Sequence, residues 1–389
     1  QTQETESMFK QGDEVAPIDK TTVKLVDPSG NEVTTMPAMK DGKEVGTYTI
    51  DPTTGVITFQ PNKDFVGTPD PAKVTAKDTN GTKVETTYTP TVTPVTPTAD
   101  PAETTDIQGK TQTGKPTFTP GADEVPMDDD TPATFEDGST TKTIPGEGTY
   151  TVAPDGTVTF VPEKTFTGKG TGVTVKRVDK NGTPVTAKYT PTVTPVTPEG
   201  TPAETTDIQG KEQNGKPTFK PGNPEVPMDD EVPATFEDGS TTKTIPGEGT
   251  YTVAPDGTVT FTPEKTFTGV GTGVTVKRVD KNGTPVTAKY TPTVTPVTPT
   301  AEPAETTDIQ GKEQNGKPTF KPGNPEVPMD DEVPATFEDG STTKTIPGEG
   351  TYTVAPDGTV TFTPEKTFTG VGTGVTVKRV DKNGTPVTA

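Results

Sequence analysis

The chain has 389 residues, a formal net charge of −21, and no His, Cys or Trp. Without His there is no Ser-His-Asp triad and no imidazole metal ligand, and without Cys there is no disulfide, thiolate nucleophile or zinc ribbon. The acidic balance opposes nucleic acid and anionic membrane surfaces, because both would repel it. We therefore expect no enzyme activity, no cofactor, no nucleic-acid partner and no membrane insertion.

The composition leaves two structural interpretations open. Gly (41) and Pro (45) are abundant, and Leu25 is the only leucine. This high Gly and Pro content and low content of large apolar residues are near those of disordered polymers. The apolar residues are mostly Val, which together with abundant Thr favours strands over helices. A disordered Pro-rich polymer and a folded β-protein with a thin core both fit these numbers.

Internal repetition organises the chain from its first residues to its last. The block that begins at Ala102 recurs at Ala203 and at Ala304, a shift of 101 residues each time, and residues 202–288 match residues 303–389 at every position. A divergent copy precedes them. A unit of about 100 residues can bury a core of its own. We therefore predict four domains, named repeats 1 to 4: 1–97, which begins inside a unit, 98–198, 199–299, and 300–389, which ends before its last strand.

Two hairpins are predicted in each repeat. In repeat 2, apolar and polar residues alternate over 150–153 and 157–160, and Pro154-Asp155-Gly156 between them suits a tight turn. Residues 173–178 and 184–189 form the second pair, and Asn181-Gly182 between them predicts a type I′ turn. No segment has a 3.6-residue apolar period. The pattern predicts an antiparallel, Ig-like β-sandwich with a core of Val, Ile, Phe and Tyr.

The boundaries between repeats are rich in Thr and Pro. Residues 190–198 read Thr-Pro-Thr-Val-Thr-Pro-Val-Thr-Pro, and matching stretches begin at Thr89 and Thr291. Proline at this density favours extended backbone, so we expect linkers that hold neighbouring repeats apart, end to end. The first part of the stretch is also a candidate for the last strand of the preceding domain. Pro184 and Pro191 predict edge positions, because proline cannot donate to a ladder.

Residues 136–141, 145–160 and 173–184 closely resemble the CshA-type fibril repeats of streptococcal and other Gram-positive surface adhesins. The resemblance covers residues 102–389. Repeat 1 departs from it, with a first turn one residue longer and with Lys73 to Lys77 in place of the Val-Lys-Arg run. The resemblance implies a secreted, wall-anchored protein whose repeats build a fibril. It also implies that host matrix protein, such as fibronectin, is bound by a non-repetitive head outside this chain.

The strongest candidate site is an acidic cluster that recurs in each of the later repeats. Oxygen-rich loops can bind Ca²⁺, but the EF-hand pattern fails because proline occupies its fifth position. We interpret the cluster as a solvated acidic loop and assign no metal, cofactor-binding or catalytic residue. Its members are Asp128, Asp129, Asp130, Glu136 and Asp137, then Asp229, Asp230 and Glu231, then Asp330, Asp331 and Glu332.

Two further candidates are weighed against simpler roles. Asn181-Gly182-Thr183 matches the N-glycosylation triplet, but its role as a turn explains it. An isopeptide crosslink would need a Lys, an acceptor and a carboxylate buried together, and we expect Lys176, Lys180 and Asn181 on the surface instead. Lys176 and Arg177 are expected to decorate a sheet face.

The function predicted from the sequence is mechanical. Near-identical folded repeats lengthen a stalk without changing its chemistry, and the stalk would project a separate binding head from the cell wall. Two alternatives stay open: repeats that are themselves adhesive, to each other or to host matrix, and a stalk stiffened by calcium.

Overall fold

The computed structural model describes residues 1–5, 8–10, 12 and 15–389. These residues form β-strands, turns and loops, and no helix occurs among them. The all-β prediction is therefore confirmed. The chain divides into two compact units, Gln1–Pro195 and Val196–Ala389. The four domain boundaries given above remain a prediction.

Repeat 1 is built from two four-stranded sheets, with strand orders β1-β6-β5-β4 and β3-β2-β7-β8. Every strand pair in both sheets is antiparallel. The strands are β1 Gln3–Glu4, β2 Ile18–Val26, β3 Glu32–Val33, β4 Thr35–Lys40, β5 Lys43–Ile50, β6 Ile57–Pro61, β7 Ala72–Asp78 and β8 Lys83–Tyr88.

Repeat 2 has one sheet of order β11-β16-β15-β14 and a second of order β10-β19-β18-β13, in which β17 also pairs with β19. A short pair, β9 with β12, lies beside them. The strands are β9 Thr98–Asp100, β10 Ala102–Ile107, β11 Gln112–Gly114, β12 Thr117–Thr119, β13 Thr134–Phe135, β14 Thr141–Ile144, β15 Gly148–Val152, β16 Val158–Pro162, β17 Gly168–Lys169, β18 Val173–Val178 and β19 Pro184–Thr194.

Repeat 3 has the same arrangement, with sheets β22-β27-β26-β25 and β21-β30-β29-β24. Its strands are β20 Glu199–Thr201, β21 Ala203–Ile208, β22 Gln213–Gly215, β23 Thr218–Lys220, β24 Thr235–Phe236, β25 Thr242–Ile245, β26 Gly249–Val253, β27 Val259–Pro263, β28 Gly269–Val270, β29 Val274–Val279 and β30 Pro285–Thr295.

Repeat 4 keeps the sheet β32-β37-β36-β35, but its second sheet has only the order β34-β38-β39. Residues 303–309 form no strand there. The strands are β31 Thr300–Glu302, β32 Gln314–Gly316, β33 Thr319–Lys321, β34 Thr336–Phe337, β35 Thr343–Ile346, β36 Gly350–Val354, β37 Val360–Pro364, β38 Val377–Val380 and β39 Pro386–Thr388.

The core of each repeat lies between its two sheets and is small. In repeat 2 the rings of Tyr150 and Phe160 stack at 4.5 Å between centroids, and Tyr189 from the other sheet meets Tyr150 edge-on at 6.5 Å. Val, Ala and Phe side chains complete this cluster. Because both sheets contribute their inward faces, the predicted sandwich with a Val, Phe and Tyr core is confirmed.

Both predicted hairpins are present, but the second turn differs from the prediction. Asp155 accepts the Thr157 amide at 2.9 Å within the first turn. In the second turn Gly182 has φ +84°, but Asn181 does not have a positive φ, since Asp41 is the one non-glycine with positive φ among the described residues. The prediction of a type I′ turn was therefore wrong. Type I′ needs positive φ at both central positions. The loop instead closes through the Asp179 carboxylate, which accepts the amides of Asn181 and Thr183.

One strand pair in repeat 2 and one in repeat 3 is parallel. β10 pairs with β19 from Ala102 opposite Tyr189 to Ile107 opposite Thr194, and β21 pairs with β30 in the same register. The first part of the Thr/Pro-rich stretch is therefore the last strand of the domain. The edge position predicted for Pro191 was wrong, because β19 lies inside its sheet. The Pro191 carbonyl accepts the amide of Gly170 at 2.8 Å. The Pro191 nitrogen, which has no hydrogen to donate, therefore faces residues 170–172, which lie between β17 and β18 and belong to neither strand.

Candidate functional site: the junction between repeats 3 and 4

The loop that follows β21 forms one side of the junction. Gln209 is 6% exposed, its backbone N–H donates to the Thr295 carbonyl at 2.8 Å, and its Nε2 donates to the Lys265 carbonyl at 2.7 Å. Its Oε1 accepts the backbone N–H of Val297 at 3.1 Å, and Val297 is itself 4% exposed. Because every polar atom of this side chain is occupied, the loop is held in one conformation. We call residues 209–211 the exit loop, since β30 ends beside it.

The β38–β39 turn of repeat 4 forms the other side. Asp381 is 1% exposed, and its Oδ1 accepts the amides of Asn383 and Thr385 at 2.9 Å each. Gly384 has φ +82°, a conformation that glycine adopts without strain. A side chain that fixes two amides of its own turn aims the Asn383 carboxamide in a single direction. We call residues 381–385 the entry turn.

The exit loop and the entry turn meet at Asn383. Its Nδ2 donates to the Gln209 carbonyl at 3.0 Å, and the residue is 8% exposed. Gly210 has φ +84°, and a Cβ at this position would lie 2.2 Å from Oδ1 of Asn383. At the rim, Lys211 Nζ lies 3.3 Å from a Glu326 carboxylate oxygen, with both side chains about half exposed. The contact is therefore a buried hydrogen bond with an ion pair beside it, and glycine at 210 leaves room for the Asn383 side chain.

Sequence reasoning missed this contact because the Asn-Gly pair was fully explained by the turn. One sequence signal pointed to it: the triplet Gln-Gly-Lys of the exit loop also occurs at residues 108–110 and 310–312.

The acidic cluster of repeat 2 is neutralised from within the repeat. Lys180 Nζ lies 2.9 Å from Asp128 Oδ1 and 3.3 Å from Asp130 Oδ2, and Arg177 Nη2 lies 2.8 Å from Asp129 Oδ1. The Lys180 and Thr131 side chains lower the pKa of Asp128 to about 2. Asp230 and Asp331 pair in the same way with Arg278 and Arg379. In repeats 2, 3 and 4 these carboxylates are therefore counter-ions for one arginine and one lysine of the same repeat.

The remaining predicted acids do not join that group of ion pairs. Asp137 accepts the Ser139 amide and hydroxyl, which lowers the pKa of its carboxyl, and Glu136 is exposed. Within residues 1–5, 8–10, 12 and 15–389 no group of three acids is arranged to hold a metal ion. In the same described residues, no helix is long and apolar enough to cross a membrane.

Arg177 is not the surface residue predicted. Its side chain is 11% exposed, and its guanidinium lies 6.0 Å from the centre of the Phe118 ring. Its Nε and the Oδ2 of Asp179 are both buried and lack a hydrogen-bond partner. Lys176 stays partly exposed on the same strand. The arginine stem therefore packs under the acidic loop and joins it to the sheet.

The residues weighed for crosslinking and glycosylation have other roles in the structure. The amine of Lys180 contacts Asp128 and Asp130, and those carboxylates raise its pKa. The backbone N–H of Asn181 donates to Asp179, and its side chain is half-buried. The triplet at Asn181 is thus part of the turn, as expected from its position.

A buried carboxylate holds the loop that precedes β18. Glu147 is 6% exposed; its Oε2 accepts the Tyr150 hydroxyl at 2.8 Å, and its Oε1 accepts the Thr171 amide at 2.7 Å. The Tyr150 oxygen accepts the Gly172 amide at 3.2 Å. Burial and the neighbouring carboxylate raise the pKa of Tyr150. Glu248 and Tyr251 repeat this arrangement in repeat 3. This cluster could not be predicted from local patterns, since Thr171 and Gly172 lie in a different segment from Glu147 and Tyr150.

Comparison with known proteins places the chain in a family. No curated protein matches it. Among solved structures it is similar to a tetra-tandem repeat in the extending region of a large adhesion protein, with 18% identity, 95% of this chain and 90% of that one covered, and a TM-score of 0.24. It is also similar to Drosophila N-cadherin EC1-4, with 13% identity, 100% and 93% covered, and a TM-score of 0.23.

The sequence-family model of the surface adhesin CshA repetitive domain matches residues 1–92, 94–193, 195–294 and 296–389, nearly the whole chain. The divergent first repeat is included in that match, which confirms the resemblance found in the sequence. A surface adhesin family implies a location at or outside the cell surface. The chain belongs to the CshA repetitive-domain family of surface adhesins.

Proposed function

We propose that this chain is a stretch of the stalk of a wall-anchored Gram-positive adhesin, and that it carries a separate binding head away from the cell. The head is the part that contacts host matrix protein, and the repeats catalyse no reaction. The observation that supports this most is the junction in the second unit. There, repeats 3 and 4 meet through an exit loop and an entry turn that belong to opposite ends of a repeat, so the same parts can be used by successive copies.

The charges of the repeats also support a structural role. The acids that looked most like a ligand site are paired with Arg177 and Lys180 of the same repeat. A calcium-stiffened stalk would need those oxygens for the ion. The net charge of −21 keeps neighbouring stalks apart in solution through mutual repulsion.

The proposal is tested by displaying the chain on a bacterial surface through its C-terminus, with an epitope tag at the N-terminus. Versions with repeat 3 deleted or duplicated provide the length series. We expect the height of the tag above the wall to change by one constant step per repeat, and we expect none of the versions to capture host cells or immobilised fibronectin. Capture that grows with repeat number would show that the repeats themselves are adhesive, which would overturn the proposal.

A further inference from the structure

We infer that each complete repeat is a force-bearing element, in which the parallel pairing of the first and last strands of its second sheet (β10 with β19, β21 with β30) resists extension by shear. This inference rests on the proposed stalk function and adds to it how the stalk carries load. The chain enters the sandwich of repeat 3 at Ala203, where β21 begins, and leaves it at Thr295, where β30 ends. These two strands pair along their whole shared length.

The direction of the pairing decides how a pull is distributed. Ala203 lies opposite Tyr290, and Ile208 lies opposite Thr295, so the entry and the exit are at opposite ends of the ladder. A pull on the chain then slides the two strands past each other along their axes. All ladder hydrogen bonds are loaded together, whereas antiparallel strands joined at one end would open one bond at a time.

Side chains add further connections across the same pair of strands. The Thr205 hydroxyl bonds to the hydroxyl of Tyr290, which is 0% exposed, and donates to Gln213 Oε1 at 2.6 Å. Gln213 Nε2 donates to the Thr293 carbonyl at 3.0 Å, and Gln213 is 4% exposed. The Thr295 hydroxyl donates to the Asp207 carbonyl at 3.3 Å. Each of these bonds forms only in the observed register of the two strands. Sliding the strands by one residue would therefore break them together with the ladder hydrogen bonds.

The other two repeats lack this feature in the part of the chain that the structure describes. Repeat 1 has only antiparallel pairs among its described residues. In repeat 4, residues 303–309 form no strand. Within residues 1–389, repeats 2 and 3 therefore have the shear pairing and the described parts of repeats 1 and 4 do not, which makes an internal comparison.

Single-molecule force spectroscopy on the full chain, pulled from its two ends, tests the inference. Each repeat released should lengthen the chain by roughly 350 Å, since about 100 residues extend by up to about 3.5 Å each. We expect two events at low force, from repeats 1 and 4, followed by two at clearly higher force, from repeats 2 and 3. Four events at equal force would overturn the shear pairing alone. A featureless extension would overturn the folded stalk of the proposed function as well.

A change of pulling direction tests the same bonds without altering the ladder. The chain has no Cys, so Glu204→Cys and Lys289→Cys, both at exposed positions, give two unique attachment points. These residues lie at the same end of the β21–β30 ladder, and a pull between them opens it bond by bond. We expect repeat 3 to unfold at a lower force in this direction than when pulled from the chain ends. Equal forces in the two directions would overturn the inference.

A matched set of substitutions tests the ladder itself. The Gln209 amide donates to Thr295, so by alternation the Asp207 amide also faces β30, and the Thr206 amide faces outward at the sheet edge. Asp207→Pro should raise the unfolding rate of repeat 3 under load about fivefold, the Boltzmann factor for about one lost hydrogen bond. Thr206→Pro and Asp207→Ala keep the ladder bond and should leave the rate within about twofold. Repeat 2 in the same molecule is the unaltered reference, and equal effects of the two prolines would contradict the shear pairing.

Discussion

Repeats 3 and 4 have the same sequence over residues 202–288 and 303–389, yet they differ in structure. Residues 203–208 form strand β21 in repeat 3, and the identical residues 304–309 form no strand in repeat 4. Ile309 is 74% exposed, whereas Ile208 is partly buried. In repeat 3, β21 pairs with residues 290–295, the second half of β30, whereas residues 303–389 contain no equivalent of that segment. The first strand of the second sheet is therefore specified by its pairing with the last strand and not by its own sequence.

The core shows the same dependence. Tyr251 is 0% exposed and Tyr352 is 6% exposed, and Phe261 is buried whereas Phe362 is only partly buried. Tyr290 covers this end of the core in repeat 3, where it lies edge-on to Tyr251 at 6.4 Å. One missing strand thus opens the core without disturbing the hairpins on the far side.

The largest effect is expected from supplying the missing strand. Adding Lys-Tyr-Thr-Pro-Thr-Val-Thr after Ala389 should raise the free energy of unfolding of repeat 4. The added Tyr and Val side chains would be buried, which is worth about 1.5–3 kcal/mol for one large apolar side chain, and the added strand would pair with residues 304–309 as β30 pairs with β21. Denaturant unfolding of the full chain, followed at the amides of β38, measures the change. A control tail with Ser in place of Tyr and Val should give less than half of it, and equal gains would contradict the role of the buried side chains.

A smaller difference is expected at the buried carboxylates. Glu248 uses both oxygens, for the Tyr251 hydroxyl at 2.9 Å and the Thr272 amide at 2.6 Å. In repeat 4 one oxygen of Glu349, Oε1, accepts both the Tyr352 hydroxyl at 3.3 Å and the Thr373 amide, and the other, Oε2, is buried without a partner. Glu248→Ala should lower the free energy of unfolding of repeat 3 by about 2 kcal/mol, since it leaves a buried amide and hydroxyl unpaired. Glu349→Ala should cost repeat 4 less, as measured by denaturant titration, and an equal cost would show that the two sites do not differ.

The junction should contribute about 1 kcal/mol, the usual net value of one hydrogen bond. Asn383→Ala removes the donor to Gln209 and should lower the thermal midpoint of repeat 4. Asn181→Ala is the matched control, because no hydrogen bond from that carboxamide is found in the part of the chain that the structure describes. Differential scanning calorimetry of the full chain measures both. Indistinguishable midpoints for Asn383→Ala and the unaltered chain would remove the junction as a stabilising contact.

The smallest effect concerns the acidic loop, where repeat 2 differs from repeats 3 and 4. The Thr131 hydroxyl donates to Asp128 at 2.8 Å, and the later copies have Val232 and Val333 at that position. The pKa of Asp128 is about 2 in the folded chain and 3.8 ordinarily. Its contribution to the stability of the folded state is therefore complete above about pH 4 and is lost as the pH falls through about 2. Carboxyl NMR titration should show that Thr131→Val raises this pKa. An unchanged pKa would assign the lowering to Lys180 and the Asp130 amide alone.

Local patterns predicted what local physics determines. The alternation over 150–160 and the Pro-Asp-Gly turn specified the first hairpin, and both strands of the second were predicted at residues 173–189. The turn type at Asn181 was wrong, because the Asp179 carboxylate closes a longer loop than the Asn-Gly pair would form alone.

Pairing and contacts between distant segments could not be predicted from the sequence. The parallel pair joins Ala102 to Tyr189, and no local pattern encodes a register between such distant segments. Pro191 predicted an edge strand. The structure shows instead that its nitrogen, which cannot donate a hydrogen bond, faces the segment between β17 and β18, where no ladder bond is needed. The contact between Asn383 and Gln209 joins different repeats, so a pattern read within one repeat could not reveal it.

Hydrogen exchange on the full chain tests most directly whether the last strand completes the first. Segmental isotope labelling separates the identical amides of repeats 3 and 4. The pairing predicts slow exchange at Thr205, Asp207 and Gln209, whose amides face β30, and fast exchange at Thr306, Asp308 and Gln310. Equal exchange rates at the two sets of amides would contradict the parallel pairing and the force-bearing role inferred from it.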